Sequence, residues 1–191
     1  MTSIAVIVGS TREGSFNRAL GELAAANLEA QGASVTRIDL AAFDLPLYSA
    51  ALEAHAFPPD ALKLKTLFAA QDGLLFVSPE YNGSLSPLLK NAIDWASRPT
   101  GDESLVALTA YRGKAAAIMS ASISPFGGLR GLMHLRQILS TIQMLVIPEQ
   151  VVVPNAHAAF AEDGSLKEVL PASLVEMTTG RLVAVAKALS S

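Results

Sequence analysis

Two polar segments of the chain have the composition of ligand-binding loops. The first, residues 9–17 (GSTREGSFN), lies between an apolar run and a helical pattern. A helix N-terminus presents unpaired backbone N–H groups, so hydroxyls and a guanidinium placed there suit a phosphate monoester. The side chains that carry these polar groups are Ser10, Thr11, Arg12, Ser15 and Asn17. The alternative is structural: Ser15 caps the helix and Arg12 is a solvated loop charge.

The glycine spacing of this first loop excludes two common nucleotide motifs. The loop is not GxxxxGK[ST], because no lysine follows its last glycine, and it is not GxGxxG. A nucleoside triphosphatase and a dinucleotide-binding Rossmann enzyme are therefore both disfavoured.

The second segment, residues 79–95 (PEYNGSLSPLLKNAIDW), follows a short apolar run and precedes a helical pattern. Pro79 restrains the exit from the strand, while Asn82 and Gly83 tolerate unusual backbone angles. Tyr81 offers an aromatic face on which a flat, partly polar ring can lie. We interpret Glu80 as a structural acceptor for neighbouring N–H groups rather than a general acid or base.

Other candidate sites are weaker. A third loop, residues 120–128 (SASISPFGG), has hydroxyls and glycines that suit the far side of a bound ring or an ordinary turn. The three histidines have no metal-ligand spacing, and no GxSxG nucleophile elbow is present. We expect no metal site, and we interpret Trp95 and Phe126 as packing groups.

These loops must be positioned by strands that alternate with helices. Apolar runs predict strands at residues 3–8, 34–40, 73–78, 114–120 and 145–153. Helices are predicted from the cap at Ser15 to about Gln31, from Pro58 and Pro59, from the cap at Ser86 to about Ser97, at 132–142 and at about 166–189. Residues 41–59 and 98–113 are expected to be loops.

This alternation predicts a doubly wound parallel α/β sheet with strand order 2-1-3-4-5 and helices on both faces. The first and third strands are neighbours in that order. Their loops would meet at the carboxyl edge of the sheet, where such folds bind ligands. All 191 residues are expected to form one domain.

Composition limits the class of protein. Hydrophobic residues make up 51% of the chain and charged residues 16%, with a net charge of −3 and no cysteine. These values favour a globular protein and argue against a nucleic-acid-binding face, disulfides and thiolate sites. No apolar run reaches the length of a membrane span and no leader peptide is evident, so we expect a cytoplasmic protein without a membrane partner.

The motifs resemble the NADPH-dependent FMN reductase family, a flavodoxin-like group that includes chromate, quinone and azo-dye reductases. GSTREGSFNRAL is similar to the family's GSxRxxSxN phosphate loop, and SPEYNGSLSPLLKNAIDW is similar to its PEYN segment and following helix. FGGLRGLMHLRQIL also resembles the segment after the fourth strand. The similarity thus covers most of the chain.

The resemblance implies an FMN at the carboxyl edge. Its phosphate contacts fall on Ser10, Arg12, Ser15 and Asn17. Its ring and ribityl contacts fall on Pro79, Glu80, Tyr81, Asn82, Gly83 and Ser122. Ser124 stands where family members often have glycine, which bears on the exposure of the ring.

The resemblance further implies hydride transfer from NADPH or NADH to FMN and then to a quinone, azo dye, free flavin or oxidised metal. A homodimer or homotetramer is implied as well, with the helix near residues 129–145 as its contact surface. Arg98, Arg112 and Arg130 are candidates for the cation that binds the 2′-phosphate of NADPH. An electron carrier or flavin-dependent regulatory module, and a site for a different phosphorylated ligand, remain the alternatives.

Overall fold

The structure is a computed structural model that describes residues 1–190. In chain order its elements are β1 (Ser3–Val8), α1 (Phe16–Ala30), β2 (Ser34–Asp39), α2 (Ala50–His55), α3 (Pro59–Ala69), β3 (Gly73–Val77), β4 (Glu80–Tyr81), β5 (Ser84–Leu85), α4 (Pro87–Ala96), β6 (Ala115–Ala121), α5 (Leu129–Thr141), β7 (Leu145–Val153), α6 (Ala156–Ala159) and α7 (Val169–Leu189). β4 and β5 form a separate small hairpin.

The main sheet has five parallel strands in the order β2-β1-β3-β6-β7. Counted within this sheet, the order is 2-1-3-4-5, which confirms the predicted doubly wound topology. β3 and β6 are buried along their whole length, as expected of central parallel strands covered on both faces. The carboxyl ends of β1, β3 and β6 therefore lie side by side at one edge.

Helices cover both faces of the sheet. α1 and α7 pack on one face, and α3, α4 and α5 pack on the other. By length and composition alone α7 would also qualify as a membrane span. In this fold, however, its Val175, Leu182 and Ala186 are buried against the sheet layer.

Several local predictions differ from the structure, among them the starts of α5 at Leu129 and of α7 at Val169, each about three residues from the predicted position. The segment 41–59 is not wholly irregular, because it contains α2 after a short 3₁₀ turn at Leu40–Ala42. The PEYN segment, predicted as a tight loop, forms a short two-stranded hairpin. The fourth sheet strand begins at Ala115 and α1 ends at Ala30, each one residue from the predicted position.

Candidate functional site

The first two polar loops lie in contact at the carboxyl edge of the sheet. The backbone N–H of Gly9 donates to the carbonyl oxygen of Val77 at 2.8 Å. The hydroxyl of Ser86 donates to the carbonyl oxygen of Gly9 at 2.6 Å. A Cβ atom on Gly9 would lie 2.9 Å from both Ser86 Oγ and Leu89 Cβ, so only glycine fits where the first loop crosses α4.

The N-terminus of α1 has no partner for its first-turn N–H groups within residues 1–190. Phe16, Asn17 and Arg18 donate no backbone hydrogen bond there, and the first turn contains no acidic residue. Ser15 stands at the N-cap position, as predicted, but its hydroxyl makes no capping hydrogen bond. Unpaired N–H groups and the positive end of the helix dipole make this terminus suitable for an anion.

The polar side chains around this terminus divide into two groups. Ser10 and Ser15 are 6% and 5% exposed, so they line the base of the loop. Thr11 and Arg12 are exposed, and the Arg12 guanidinium lies 5.7 Å from the centre of the Phe16 ring. An exposed cation in the same loop as two buried hydroxyls is an arrangement that suits a phosphate.

Asn17 joins α1 to the end of β6. Its Nδ2 donates to the carbonyl oxygen of Ala121 at 2.8 Å, and its Oδ1 accepts from the Ala121 N–H at 2.9 Å. The amide thus fixes the first loop against the third. One Nδ2 hydrogen remains beyond these two bonds for a further acceptor.

The PEYN hairpin presents its turn at the same edge. Asn82 and Gly83 both have positive φ, at 51° and 80°, as the sequence predicted for this turn. Glu80 pairs with Leu85 and Tyr81 with Ser84. Tyr81 is 51% exposed, which leaves its ring available to a ligand.

Glu80 is an acceptor for N–H groups, in agreement with its predicted structural role. Its carboxylate accepts from the backbone N–H groups of Arg130 at 3.1 Å and Gly131 at 3.3 Å. The Arg130 side chain donates to it through Nε at 2.7 Å. The carboxylate therefore caps α5 and is not free to act as a proton donor or acceptor.

The third loop lies between β6 and α5. The Ser122 hydroxyl accepts from the Ser124 N–H at 3.1 Å, and the Ser124 hydroxyl accepts from the Phe126 N–H at 3.2 Å. Ser124 thus stabilises its own turn. Phe126 is 59% exposed, so its interpretation as a packing group is wrong. Trp95 is fully buried, as predicted, and donates to the Pro46 carbonyl at 2.7 Å.

Comparison with known proteins identifies the family in which this arrangement of loops occurs. The family model for NADPH-dependent FMN reductases matches residues 2–158. The chain belongs to the NADPH-dependent FMN reductase family. It is similar to an NAD(P)H-dependent FMN reductase of Pseudomonas aeruginosa, with 37% identity over 89% of this chain and 87% of that protein. It is also similar to a 2-hydroxy-1,4-benzoquinone reductase of a Burkholderia species, with 39% identity over 75% and 73% of the two chains.

A solved structure agrees with the sequence relatives. The NAD(P)H:acceptor flavoenzyme of Paracoccus denitrificans superposes with a TM-score of 0.83 at 29% identity, over 98% of each chain. The flavodoxin-like fold and the class of FMN-dependent NAD(P)H oxidoreductase predicted from the sequence are thereby confirmed.

The three arginines considered for nicotinamide recognition have different surroundings. Arg98 pairs with Glu53 at 3.0 Å and lies over the Tyr48 ring. Arg112 donates to the backbone carbonyl of Val106. Arg130 is held by Glu80 yet its side chain is 59% exposed at the loop edge. Of the three, only Arg130 is connected to the PEYN hairpin.

One groove borders the second segment at Ser84, Leu85 and Pro87. It has a volume of about 630 Å³ and runs between α4 and α5, past Lys90, Asp94, His134 and Ile138. Within residues 1–190, no group of three or more His, Asp or Glu side chains is arranged to hold a metal ion.

Some residues of the site had no local signal in the sequence. The cap role of Ser86 was predicted, but its bond to Gly9 joins positions 77 residues apart. The pairing of Glu80 with Arg130 spans 50 residues. The only available signal was the presence of glutamate and arginine in two segments that both resemble family motifs.

Proposed function

We propose that this protein binds FMN across the three loops, with the phosphate at the N-terminus of α1 and the ring beside the PEYN hairpin. The observation that carries the proposal is the contrast among the starts of α1, α4 and α5, the helices that follow β1, β3 and β6. Glu80 satisfies the start of α5, and Ser86 accepts from Leu89 at the start of α4. The start of α1 has no such partner within the described chain, which suits an anion from outside it.

The proposed contacts follow from this placement. Ser10, Thr11, Arg12, Ser15 and Asn17 hold the phosphate through hydroxyl, guanidinium and amide hydrogens. The ring and ribityl chain lie against Pro79, Glu80, Tyr81, Asn82 and Gly83, with Ser122 on the other side. Glu80 takes part through its backbone, because its carboxylate is bound to α5.

The proposed reaction has two steps. FMN held by the three loops would supply the chemistry of both steps: acceptance of a hydride from NADPH or NADH, and release of two electrons to an acceptor that replaces the nicotinamide. With a quinone acceptor, uptake of protons completes the hydroquinone. The cofactor supplies the redox chemistry, and the protein holds the reactants about 3 to 3.5 Å apart.

We favour quinones as acceptors because the names of several relatives specify them. Azo dyes, free flavin and oxidised metal species such as chromate are the other acceptor classes to be compared. Steady-state rates with NADPH as the donor and each acceptor in turn rank the acceptors. Steady-state rates with NADPH and with NADH, using one quinone, rank the two donors. A quinone turnover no higher than that of the other acceptors would contradict the preference.

Anaerobic mixing tests the function itself. The FMN-loaded protein is mixed with NADPH or NADH while flavin absorbance near 450 nm is recorded. We expect bleaching by at least one nicotinamide and recovery on addition of a quinone. A protein that binds FMN but is bleached by neither nucleotide would be an electron carrier or regulatory module. A protein that never acquires a flavin spectrum would bind a different phosphorylated ligand.

We further propose a cytoplasmic homodimer or homotetramer that uses the N-terminal half of α5. Leu129 and Met133 are 38% and 62% exposed one turn apart, beside the exposed Phe126. Met133→Glu should reduce the mass measured by light scattering. A monomeric wild-type protein would contradict the proposal, and membrane association in cell fractionation would contradict the location.

A further inference from the structure

A single carboxylate connects the second and third loops. Glu80 belongs to the PEYN hairpin, whereas the three donors that it binds belong to Arg130 and Gly131 at the start of α5. The third loop leads directly into this helix. Any displacement of Glu80 therefore affects the two loops that flank the proposed flavin ring.

The contact between hairpin and helix is tight. A Cβ atom on Gly131 would lie 3.0 Å from the Ser84 carbonyl oxygen and 3.5 Å from Glu80 Cα. One turn after Arg130, His134 Nδ1 lies 3.0 Å from Ser84 Oγ. Since α5 touches both strands of the hairpin, the two segments can move only together.

The start of α5 is also held by close contact with the end of β6. Gly128 caps α5 with φ of 91°, and a Cβ atom there would lie 1.9 Å from Ser120 Oγ. Ser120 is fully buried at the end of β6. The helix thus rests on the sheet edge, and the Glu80 carboxylate connects it to the hairpin together with the His134–Ser84 contact.

The charge of this carboxylate is balanced locally. The Glu80 side chain is 7% exposed, and the Arg130 guanidinium pairs with it. Two backbone N–H groups at the positive end of the α5 dipole also stabilise the negative charge of Glu80. Removing either charge would leave the other only partly compensated beside the hairpin.

We propose that Glu80 and Arg130 act as a positioning pair for bound FMN. The pair holds the PEYN hairpin to α5, and its two opposite charges leave no net charge next to the flavin. The inference rests on the proposed FMN site. It assigns neither residue a proton-transfer role. It predicts one mechanical and one electrostatic consequence, which can be measured separately.

Hydrogen exchange in the cofactor-free protein tests the mechanical consequence. In Glu80→Gln, a neutral amide keeps one acceptor oxygen but places an NH₂ group against N–H donors. We expect faster exchange in both the 80–85 and the 129–132 segments. Faster exchange in only one segment, or in neither, would overturn the coupling whatever happens to FMN binding.

FMN affinity and reduction potential test the electrostatic consequence. We expect Glu80→Gln to raise the Kd for FMN about tenfold, since loosening the hairpin weakens contacts with the ring. Its unpaired Arg130 should raise the reduction potential of bound FMN. Arg130→Met should lower that potential, because a Glu80 charge no longer paired with a guanidinium opposes the negative charge gained on reduction.

Further variants separate the effect of charge on the reduction potential from any effect on folding. The Glu80→Gln/Arg130→Met double variant should return the potential towards wild type while its FMN affinity stays low. Arg130→Lys keeps the positive charge and should remain near the wild-type potential. As matched controls, Glu29→Gln and Arg37→Met alter an exposed ion pair between α1 and β2 and should leave the potential unchanged.

The outcomes distinguish this inference from the proposed function. Wild-type protein that binds no FMN would refute the function and this inference together. Wild-type protein that binds FMN, with single-variant potentials that shift in the same direction or not at all, would refute the positioning pair alone. Thermal melts of each variant show whether a lost affinity reflects unfolding.

Discussion

The hydroxyl of Ser86 donates a hydrogen bond to the carbonyl oxygen of Gly9, and the Ser86 hydroxyl oxygen accepts from the Leu89 N–H at 3.3 Å. Ser86 is 1% exposed, so both bonds are protected from water. One side chain thereby caps α4 and holds the first loop against it. The relative position of the two loops that the FMN site requires depends on this contact.

Gly9→Ala should destabilise the protein. The new Cβ would lie 2.9 Å from Leu89 Cβ and Ser86 Oγ, which forces α4 and the loop apart. Overpacking of this kind typically costs about 1–3 kcal/mol in the free energy of unfolding. Urea denaturation of the cofactor-free protein measures the change.

Gly180→Ala is the matched control for this substitution. Gly180 lies inside α7, and a Cβ there would meet Gln31 at an ordinary 3.6 Å. Helix propensity predicts a gain of up to about 1 kcal/mol. Equal effects of the two glycine substitutions would show that crowding at Gly9 is unimportant.

Ser15→Asp should weaken FMN binding while the cofactor-free protein keeps or gains stability. Aspartate is a good N-cap and interacts favourably with the helix dipole, so it supplies the capping bond that Ser15 does not make. Its charge repels a phosphate at the same terminus. Fluorescence titration with FMN and thermal melts measure the two effects.

Ser15→Asn tests whether the loss of FMN affinity comes from the negative charge or from the new capping bond. Asparagine also caps helices well but is neutral. Its loss of FMN affinity should therefore be smaller than that of Ser15→Asp. Unchanged affinity in Ser15→Asp would remove Ser15 from the phosphate site.

Asn17→Ala should lower the free energy of unfolding by about 1–3 kcal/mol, because it leaves the buried N–H and carbonyl of Ala121 without their partner. Asn27→Ala is the comparison on the same helix. Asn27 donates only to the Leu23 carbonyl within α1, so we expect a change within about 0.5 kcal/mol. A small effect at both positions would show that the bridge to β6 is dispensable.

Glu103 should make stability depend on pH in the acidic range. Burial alone would raise the pKa of Glu103, but hydrogen bonds from Lys65, Thr109 and the Thr100 backbone lower it from 4.5 to about 2. A carboxyl group with a lowered folded-state pKa contributes stability above its unfolded pKa. This contribution is lost as pH falls from about 4.5 towards 2.

Denaturation of wild type and Glu103→Gln at several pH values measures this contribution. The wild type should be the more stable protein at pH 7, and the difference should shrink below pH 4.5. Glu162→Gln, at an exposed position, should show no comparable trend. A difference between wild type and Glu103→Gln that is constant from pH 7 to pH 3 would contradict the assignment.

Local patterns in the sequence determined the strands, most helices and the positions of the three loops. The apolar runs of β1 and β3 indicate strands that are buried on both faces. Asn82 and Gly83 indicate a turn with positive φ. These properties depend on residue type and short spacing. They therefore needed no knowledge of distant parts of the chain.

Only the tertiary structure decided which polar groups are partners and which remain free. The Asn17 bridge to Ala121 spans 104 residues, and the Glu80 pair with Arg130 spans 50. Such contacts depend on where loops lie to within a fraction of an ångström, and periodicity carries no such information. The exposure of Phe126 and the unused hydroxyl of Ser15 were likewise set by the packing of segments distant in sequence.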